Sequence, residues 1–138
     1  MTTAAKQRIE GHLASCGLQW TESSGYFKGI VDVAEGRTQV FLVDFDVDQL
    51  GSYQDFDILS PICRIADHEA RVKKIAYALL EFSGKQKLGH VAVSQGMLVY
   101  KADCPIDAPA AVFQAVLQTV CKLADVLETI VTDGSDAF

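Results

Sequence analysis

The sequence has little positive charge and no long uninterrupted hydrophobic run. Its 12 lysines and arginines stand against 18 aspartates and glutamates, which gives a net charge of −6 over 138 residues. An acidic surface repels phosphate backbones, so the charge balance argues against a nucleic-acid partner. The apolar stretches fall short of the ~20 residues that span a bilayer, and the N-terminus lacks the apolar core of a signal peptide. We therefore expect a cytoplasmic protein without membrane contact.

The sequence also lacks the spacings that define common catalytic and metal sites. Its four cysteines, Cys16, Cys63, Cys104 and Cys121, form no CxxC pair, which is typical of small buried hydrophobic residues in a reducing compartment. No serine lies in a G-x-S-x-G pattern, and no strand leads into a glycine-rich turn that could cradle a phosphate. The sequence predicts no enzymatic activity, no catalytic residues and no cofactor.

What the chain does have is enough apolar material for one core. Hydrophobic residues make up 49% and charged residues 22% of the sequence, which excludes a disordered chain. A chain of this length buries roughly two thirds of the surface that its unfolded form exposes, so it needs no disulfide or metal to fold. We predict a single α+β domain over 1–132 and a flexible C-terminal tail over 133–138.

The spacing of apolar residues predicts eight elements in the order α-β-β-β-α-β-β-α. Steps of three and four indicate helices, and β-branched runs with a period of two indicate strands. The predicted elements are a helix over Thr3–Cys16, strands over Tyr26–Val33, Thr38–Val47 and Phe56–Ile65, a helix from Asp67 to Gly84, a hairpin around Ser94–Gly96, and a helix from Asp107 to Val131. This order favours a single antiparallel sheet of about five strands with helices packed mainly on one face.

Two of these elements carry features that constrain where they lie. The third strand contains Pro61, which cannot donate to a ladder, so this strand is expected at a sheet edge or bent at that residue. The middle helix is expected to bury a single apolar stripe. The stripe consists of Val72, Ile75, Ala76, Leu79, Leu80 and Phe82.

The segment DFDVDQLGSYQD has the outline of a calcium-binding loop. Asp44, Asp46, Asp48 and Asp55 occupy the first, third, fifth and twelfth places, where such loops carry acids. The sixth place holds Gln49 instead of the glycine that the sharp turn needs, and a β-branched strand precedes the segment instead of a helix. We interpret the aspartates as the polar outer face of a strand. No metal site is predicted, and Asp44, Asp46 and Asp48 stay weak candidates for a divalent cation.

The same strand indicates where a partner binds. Val40 and Leu42 point to the side of the strand opposite to the predicted core, so the second face of the sheet is partly apolar. Exposed apolar patches generally mark contact surfaces. Arg71 and Lys74 belong to a local basic patch that would meet an acidic partner or the acidic strand of a second copy. We predict Val40, Leu42, Arg71 and Lys74 as partner-binding residues.

Over nearly the whole chain, the element order resembles that of type III secretion chaperones and the related YbjN-like proteins. The segments that carry the resemblance are YFKGIVDVAEGRTQVFLVDFD, the strand ILSPICRI leading into ADHEARVKKIAYALLEFSG, and the closing hairpin and long helix. The resemblance implies a small acidic homodimer that binds a protein or peptide partner, has a chaperone-like or regulatory role, and catalyses nothing. The alternative is a regulatory domain that senses a small molecule or a divalent ion.

Overall fold

The structure, a computed structural model, describes residues 3–132 apart from the side chains at positions 3, 47, 48 and 50. The predicted tail over 133–138 lies outside the described residues. The helices and strands are α1 (Thr3–Ser15), β1 (Thr21–Ser23), β2 (Tyr26–Ala34), β3 (Arg37–Leu50), β4 (Tyr53–Arg64), α2 (Glu69–Lys85), β5 (His90–Ser94), β6 (Met97–Pro105) and α3 (Ala110–Thr132). A short 3-10 turn, Ile65–Asp67, joins β4 to α2.

The six strands of the described chain form one antiparallel sheet in the order β1-β2-β3-β4-β6-β5. The predicted α+β fold with a single antiparallel sheet is confirmed. One strand is additional: residues that we expected in a loop form β1, which pairs Thr21 with Lys28 and Ser23 with Tyr26. All three residues of β1 are exposed, so no hydrophobic period marks it. The turn that creates the pair has φ values of 48° at Ser24 and 90° at Gly25.

Pro61 lies in the middle of the sheet. Its strand, β4, pairs with β3 on one side and with β6 on the other, so the edge position, one of the two expected alternatives, is wrong, and the strand is instead irregular at this residue. The register between β4 and β6 shifts between Pro61 and Cys63, which is the irregularity that a proline without an N–H requires in a central strand. The Pro61 carbonyl accepts a hydrogen bond of 2.7 Å from the amide Nε2 of Gln39 on β3.

Helices α1 and α3 cover one face of the sheet and enclose the main core. The predicted α1 stripe of Ala5, Ile9 and Leu13 is buried. α3 contributes the largest helical share of this core, and its buried residues are Phe113, Val116, Leu117, Val120, Cys121, Ala124, Leu127 and Val131. Side chains from alternate positions of β3 meet them, namely Phe41, Val43 and Phe45. The sheet and α1 together therefore bury the broad apolar band of α3.

Helix α2 lies beside β5, at the edge of the sheet, and buries less than the sequence predicts. Ala76 and Leu80 of the predicted stripe are exposed. The members that do pack inward, fully or in part, are Val72, Ile75, Leu79 and Phe82. The prediction for Ala76 and Leu80 is wrong because a helix that rests on one edge strand finds partners for only a narrow arc of its surface.

By length and composition, α3 could cross a bilayer, contrary to the expectation that no stretch is long enough. An 18-residue window within its 23 residues has a mean hydropathy of 1.4. In the fold, 39% of that window is buried inside the protein, where it forms the core described above. A core helix of a soluble protein has the same composition, so this property of α3 is weak support for a membrane span.

Candidate partner-binding surfaces

The face of the sheet opposite to the helices is partly apolar. Along β3, Phe41 and Val43 enter the main core, whereas Val40 and Leu42 point the other way and are half-buried. The alternation predicted for this strand is therefore present, because successive side chains of a strand leave opposite faces. No described helix covers Val40 or Leu42.

Two side chains on this open face are buried although they do not belong to the main core. Leu59 of β4 is 6% exposed and Val99 of β6 is 2% exposed, and neither is part of the cluster beneath the helices. Both line a cavity of about 290 Å³, which we name the concave-face cleft. Its other lining residues include Tyr26, Lys28, Leu42, Pro61 and Met97, with the β1–β2 and β5–β6 turns at its ends. Because turns from both ends of the sheet line one cavity, the sheet curves around it.

A row of acidic residues crosses the same face beside the cleft. The Cα partners Asp44 and Asp57 lie on β3 and β4, and Asp57 is in turn paired with Asp103 on β6. Lys101 offsets part of this charge, with its Nζ 3.8 Å from Oδ2 of Asp57. Burial raises the pKa of the nearby Tyr26 hydroxyl, and the negative charges of Asp44 and Asp57 raise it further. The row thus creates a negative potential at one margin of the cleft.

The three aspartates that we considered for a divalent cation belong to a strand. Asp44, Asp46 and Asp48 all lie within β3, and the Asp48 side chain is outside the described part of the structure. Asp44 Oδ1 accepts a hydrogen bond of 2.9 Å from the backbone N–H of Asp46, and the register with β4 shifts between Asp44 and Asp48. Among the described residues, no group of three histidine, cysteine, aspartate or glutamate side chains could hold a metal ion.

A second exposed apolar surface lies on α2 and the neighbouring edge strand. Tyr77 is 76% exposed and Leu80 is 70% exposed, one helical turn apart, and Val93 of β5 is 66% exposed. We name these three residues the α2 patch. Charged side chains border it, with Lys73 bound to Glu69 at 3.0 Å on the N-terminal side and Glu81 on the C-terminal side. Exposed patches of large apolar side chains generally mark protein contact surfaces.

A second cavity, of about 980 Å³, follows the edge of β2 beyond the end of β1, and we name it the β2-edge cavity. Trp20, Val31 and Leu117 line it together with the end of α1, and Ile30 of β2 is 60% exposed beside it. β1 pairs with β2 only from Tyr26 to Lys28, so the rest of this edge has no neighbouring strand among the described residues.

The four residues predicted to bind a partner fall on three separate surfaces. Val40 lines the β2-edge cavity and Leu42 lines the concave-face cleft. Lys74 is exposed on α2, on the other side of the sheet. Arg71 is half-buried, and its Nη2 donates a hydrogen bond of 3.4 Å to the carbonyl of Ile130. The structure therefore does not join the apolar pair and the basic pair into one site.

Sequence reasoning missed Tyr77 as a surface residue of interest and assigned Leu80 to the core. A signal was present, because Tyr77 and Leu80 lie outside the helical arc of Ile75 and Leu79, so apolar residues of α2 extend to the side facing away from its buried stripe. Sequence reasoning also missed Leu59 and Val99, whose burial on the open face depends on the curvature of the sheet.

The cysteines offer no activated nucleophile. All four are free, and burial raises the pKa of the Cys104 thiol to about 11 and that of the Cys121 thiol to about 12. Contact with the Ser60 hydroxyl opposes part of the shift at Cys121. A catalytic thiol needs a lowered pKa and access to solvent, so these side chains fit the predicted role of core residues.

No family model and no curated protein matches this chain. The surfaces of the molecule therefore carry the functional argument.

Proposed function

We propose that this chain is a non-enzymatic protein-binding module with a chaperone-like or regulatory role, acting as a homodimer in the cytoplasm. We also propose that the chain is related to YbjN-like proteins and type III secretion chaperones. The observation that carries it is the α2 patch. Tyr77 and Leu80 on α2 and Val93 on β5 are each at least 66% exposed, and α2 also has a buried inner face of its own.

The α2 patch suits a twofold contact between two copies. Burial of apolar area stabilises an interface by about 25 cal/mol per Å², and a tyrosine and a leucine together supply a large share of such area. If two α2 helices pack antiparallel with Tyr77 at the centre, a residue four positions before it faces the residue four positions after it. Lys73 then meets Glu81 of the partner subunit, so the charges at the border are complementary.

The oligomeric state tests this proposal directly. We expect the wild type to sediment as a dimer at micromolar concentration and the Tyr77→Glu, Leu80→Glu double variant to sediment as a folded monomer. Ile30→Glu is the matched control, because Ile30 is 60% exposed on β2, far from α2. A monomeric wild type, or a dimer that dissociates with Ile30→Glu and survives the double variant, contradicts the proposal.

A charge exchange sharpens the test of the antiparallel geometry. Lys73→Glu places two acids opposite each other and should weaken the dimer, whereas Lys73→Glu combined with Glu81→Lys should restore it. Failure of the second substitution to restore the dimer rejects this arrangement of α2. Circular dichroism of every variant checks that the fold is retained.

A further inference from the structure

We propose that the concave-face cleft docks an extended, basic peptide segment with apolar side chains at every second position. This inference rests on the proposed function, because it names the chemistry of the partner that the module binds. It concerns the open face of the sheet, which is separate from the α2 patch.

The floor of the cleft provides the apolar half of this recognition. Leu42 and Leu59 are cross-strand partners on β3 and β4, and Val99 of β6 lies diagonally from Leu59, opposite Pro61. Leu59 and Val99 are both buried although neither belongs to the main core. An extended segment directs alternate side chains to one side, so apolar residues at every second position reach such a floor together. The distance from β2 across β3 and β4 to β6 is three inter-strand spacings, or about 14 Å. A docked segment of about five extended residues covers this distance.

The acidic row provides the charged half. Asp44, Asp57 and Asp103 are consecutive cross-strand neighbours, and like charges directly opposite each other destabilise a sheet. Lys101 contacts Asp57, the middle member of the row, at 3.8 Å. A basic side chain of the docked segment adds a further positive charge beside these carboxylates. The net charge of −6 also steers basic partners toward the protein.

Charge favours this occupant over a second copy of the chain that pairs about a twofold axis along the strands. Such a pairing would set the acidic row of one copy against the same row of the other, where the repulsion grows. A nucleic acid fails for the same reason, since its phosphates would meet the row. Lys28, the other cation at the cleft, lies at the β2 side and forms no ion pair with the described residues.

Three fluorescent peptides of about eight residues separate the two halves of recognition. They are an alternating Lys-Val peptide, an alternating Glu-Val peptide and an alternating Lys-Ser peptide, each with blocked ends and binding followed by anisotropy. We expect the Lys-Val peptide to bind best. Leu42→Ser should weaken its binding about five- to tenfold. Asp44→Asn and Asp103→Asn should each weaken it about two- to fivefold, and the loss should shrink as salt is added.

Matched controls distinguish the cleft from the rest of the surface. Glu35→Gln removes the same charge from the exposed β2–β3 turn and should leave binding unchanged. Equal binding of the Lys-Val and Glu-Val peptides, or an equal loss with Glu35→Gln and Asp103→Asn, overturns the inference. The same holds if no peptide binds, or if Lys-Ser binds as well as Lys-Val.

The monomeric double variant at Tyr77 and Leu80 keeps the inference distinguishable from the homodimer proposal. A single chain forms the cleft, so this variant should bind the Lys-Val peptide as the wild type does. Peptide binding by a wild type that is monomeric contradicts the homodimer and supports the cleft. A dimeric wild type that binds no peptide supports the homodimer and overturns the cleft. If the double variant alone loses peptide binding, the peptide binds at α2, and this result also overturns the cleft as the binding site.

Discussion

Gly29 of β2 and Phe41 of β3 are cross-strand partners that leave no room for a side chain at position 29. A Cβ atom there would press on the Phe41 ring and lie 2.6 Å from the carbonyl oxygen of Gln19. Phe41 is fully buried in the main core, and Gln19 belongs to the segment that leads into β1. The bare backbone of Gly29 thus lets a core aromatic ring and the chain before β1 approach β2 together.

We predict that Gly29→Ala lowers the free energy of unfolding by about 1–3 kcal/mol, because neither the buried ring nor the Gln19 backbone moves away easily. Gly11→Ala is the control, since its Cβ would meet nothing within 4 Å on the exposed side of α1. The control should raise stability by roughly 0.5–1 kcal/mol through helix propensity. Urea unfolding measures both. An unchanged stability of Gly29→Ala would show that the ring has space to yield.

The ion pair between Arg37 and Asp125 connects the β2–β3 turn to α3. Arg37 Nη2 lies 2.7 Å from Asp125 Oδ1 and also donates to the Thr129 hydroxyl at 2.9 Å. The Asp125 side chain is only 15% exposed. We predict a coupling energy of about 1 kcal/mol in a double-mutant cycle of Arg37→Ala and Asp125→Ala, since a carboxylate shielded from water and a second acceptor strengthen the contact.

The exposed pair of Arg64 and Asp67 serves as the comparison for this cycle. Their side chains are 74% and 61% exposed, and many such surface pairs contribute nothing measurable to stability. Equal coupling energies for the two pairs would mean that the link from the turn to α3 adds nothing beyond a surface contact.

His12 of α1 stacks on Phe113 of α3, and this contact predicts a sensitivity to acid. The ring centroids are 5.1 Å apart with an interplanar angle of 19°, and the buried Nε2 of His12 has no hydrogen-bond partner among the described residues. Burial lowers the pKa of His12, and the charge of Arg8 lowers it further. The folded state therefore resists protonation at a pH where the unfolded state already binds a proton.

His12 therefore contributes to the free energy of unfolding above its unfolded pKa of about 6.5, and this contribution is lost as the pH falls through the lower pKa of the folded state. We predict that the urea midpoint of the wild type falls between about pH 7.5 and pH 5, and that His12→Phe reduces this fall. His90→Phe, at an exposed site on β5, should leave it unchanged. An identical fall in the wild type and in His12→Phe would remove His12 as its cause.

The sequence by itself determined the features that depend on the local period of the chain. The helical stripe of Ala5, Ile9 and Leu13, and the two faces of β3 read from Phe41 and Leu42, follow from periods of 3.6 and 2.0. The α+β class follows from the order of those elements. The position of the aspartates on a strand also came from local chemistry, because Gln49 replaces the glycine of a calcium loop.

The tertiary structure alone decided features that depend on which elements become neighbours. The three exposed residues of β1 become a strand through pairing with β2, and Pro61 is central because β6 returns beside β4. Leu80 is exposed because α2 reaches only the sheet edge, and Val99 is buried because the open face is curved. The position of a residue within the local period of the chain specifies the direction in which its side chain leaves the backbone. The atoms that the side chain contacts there belong to distant parts of the chain.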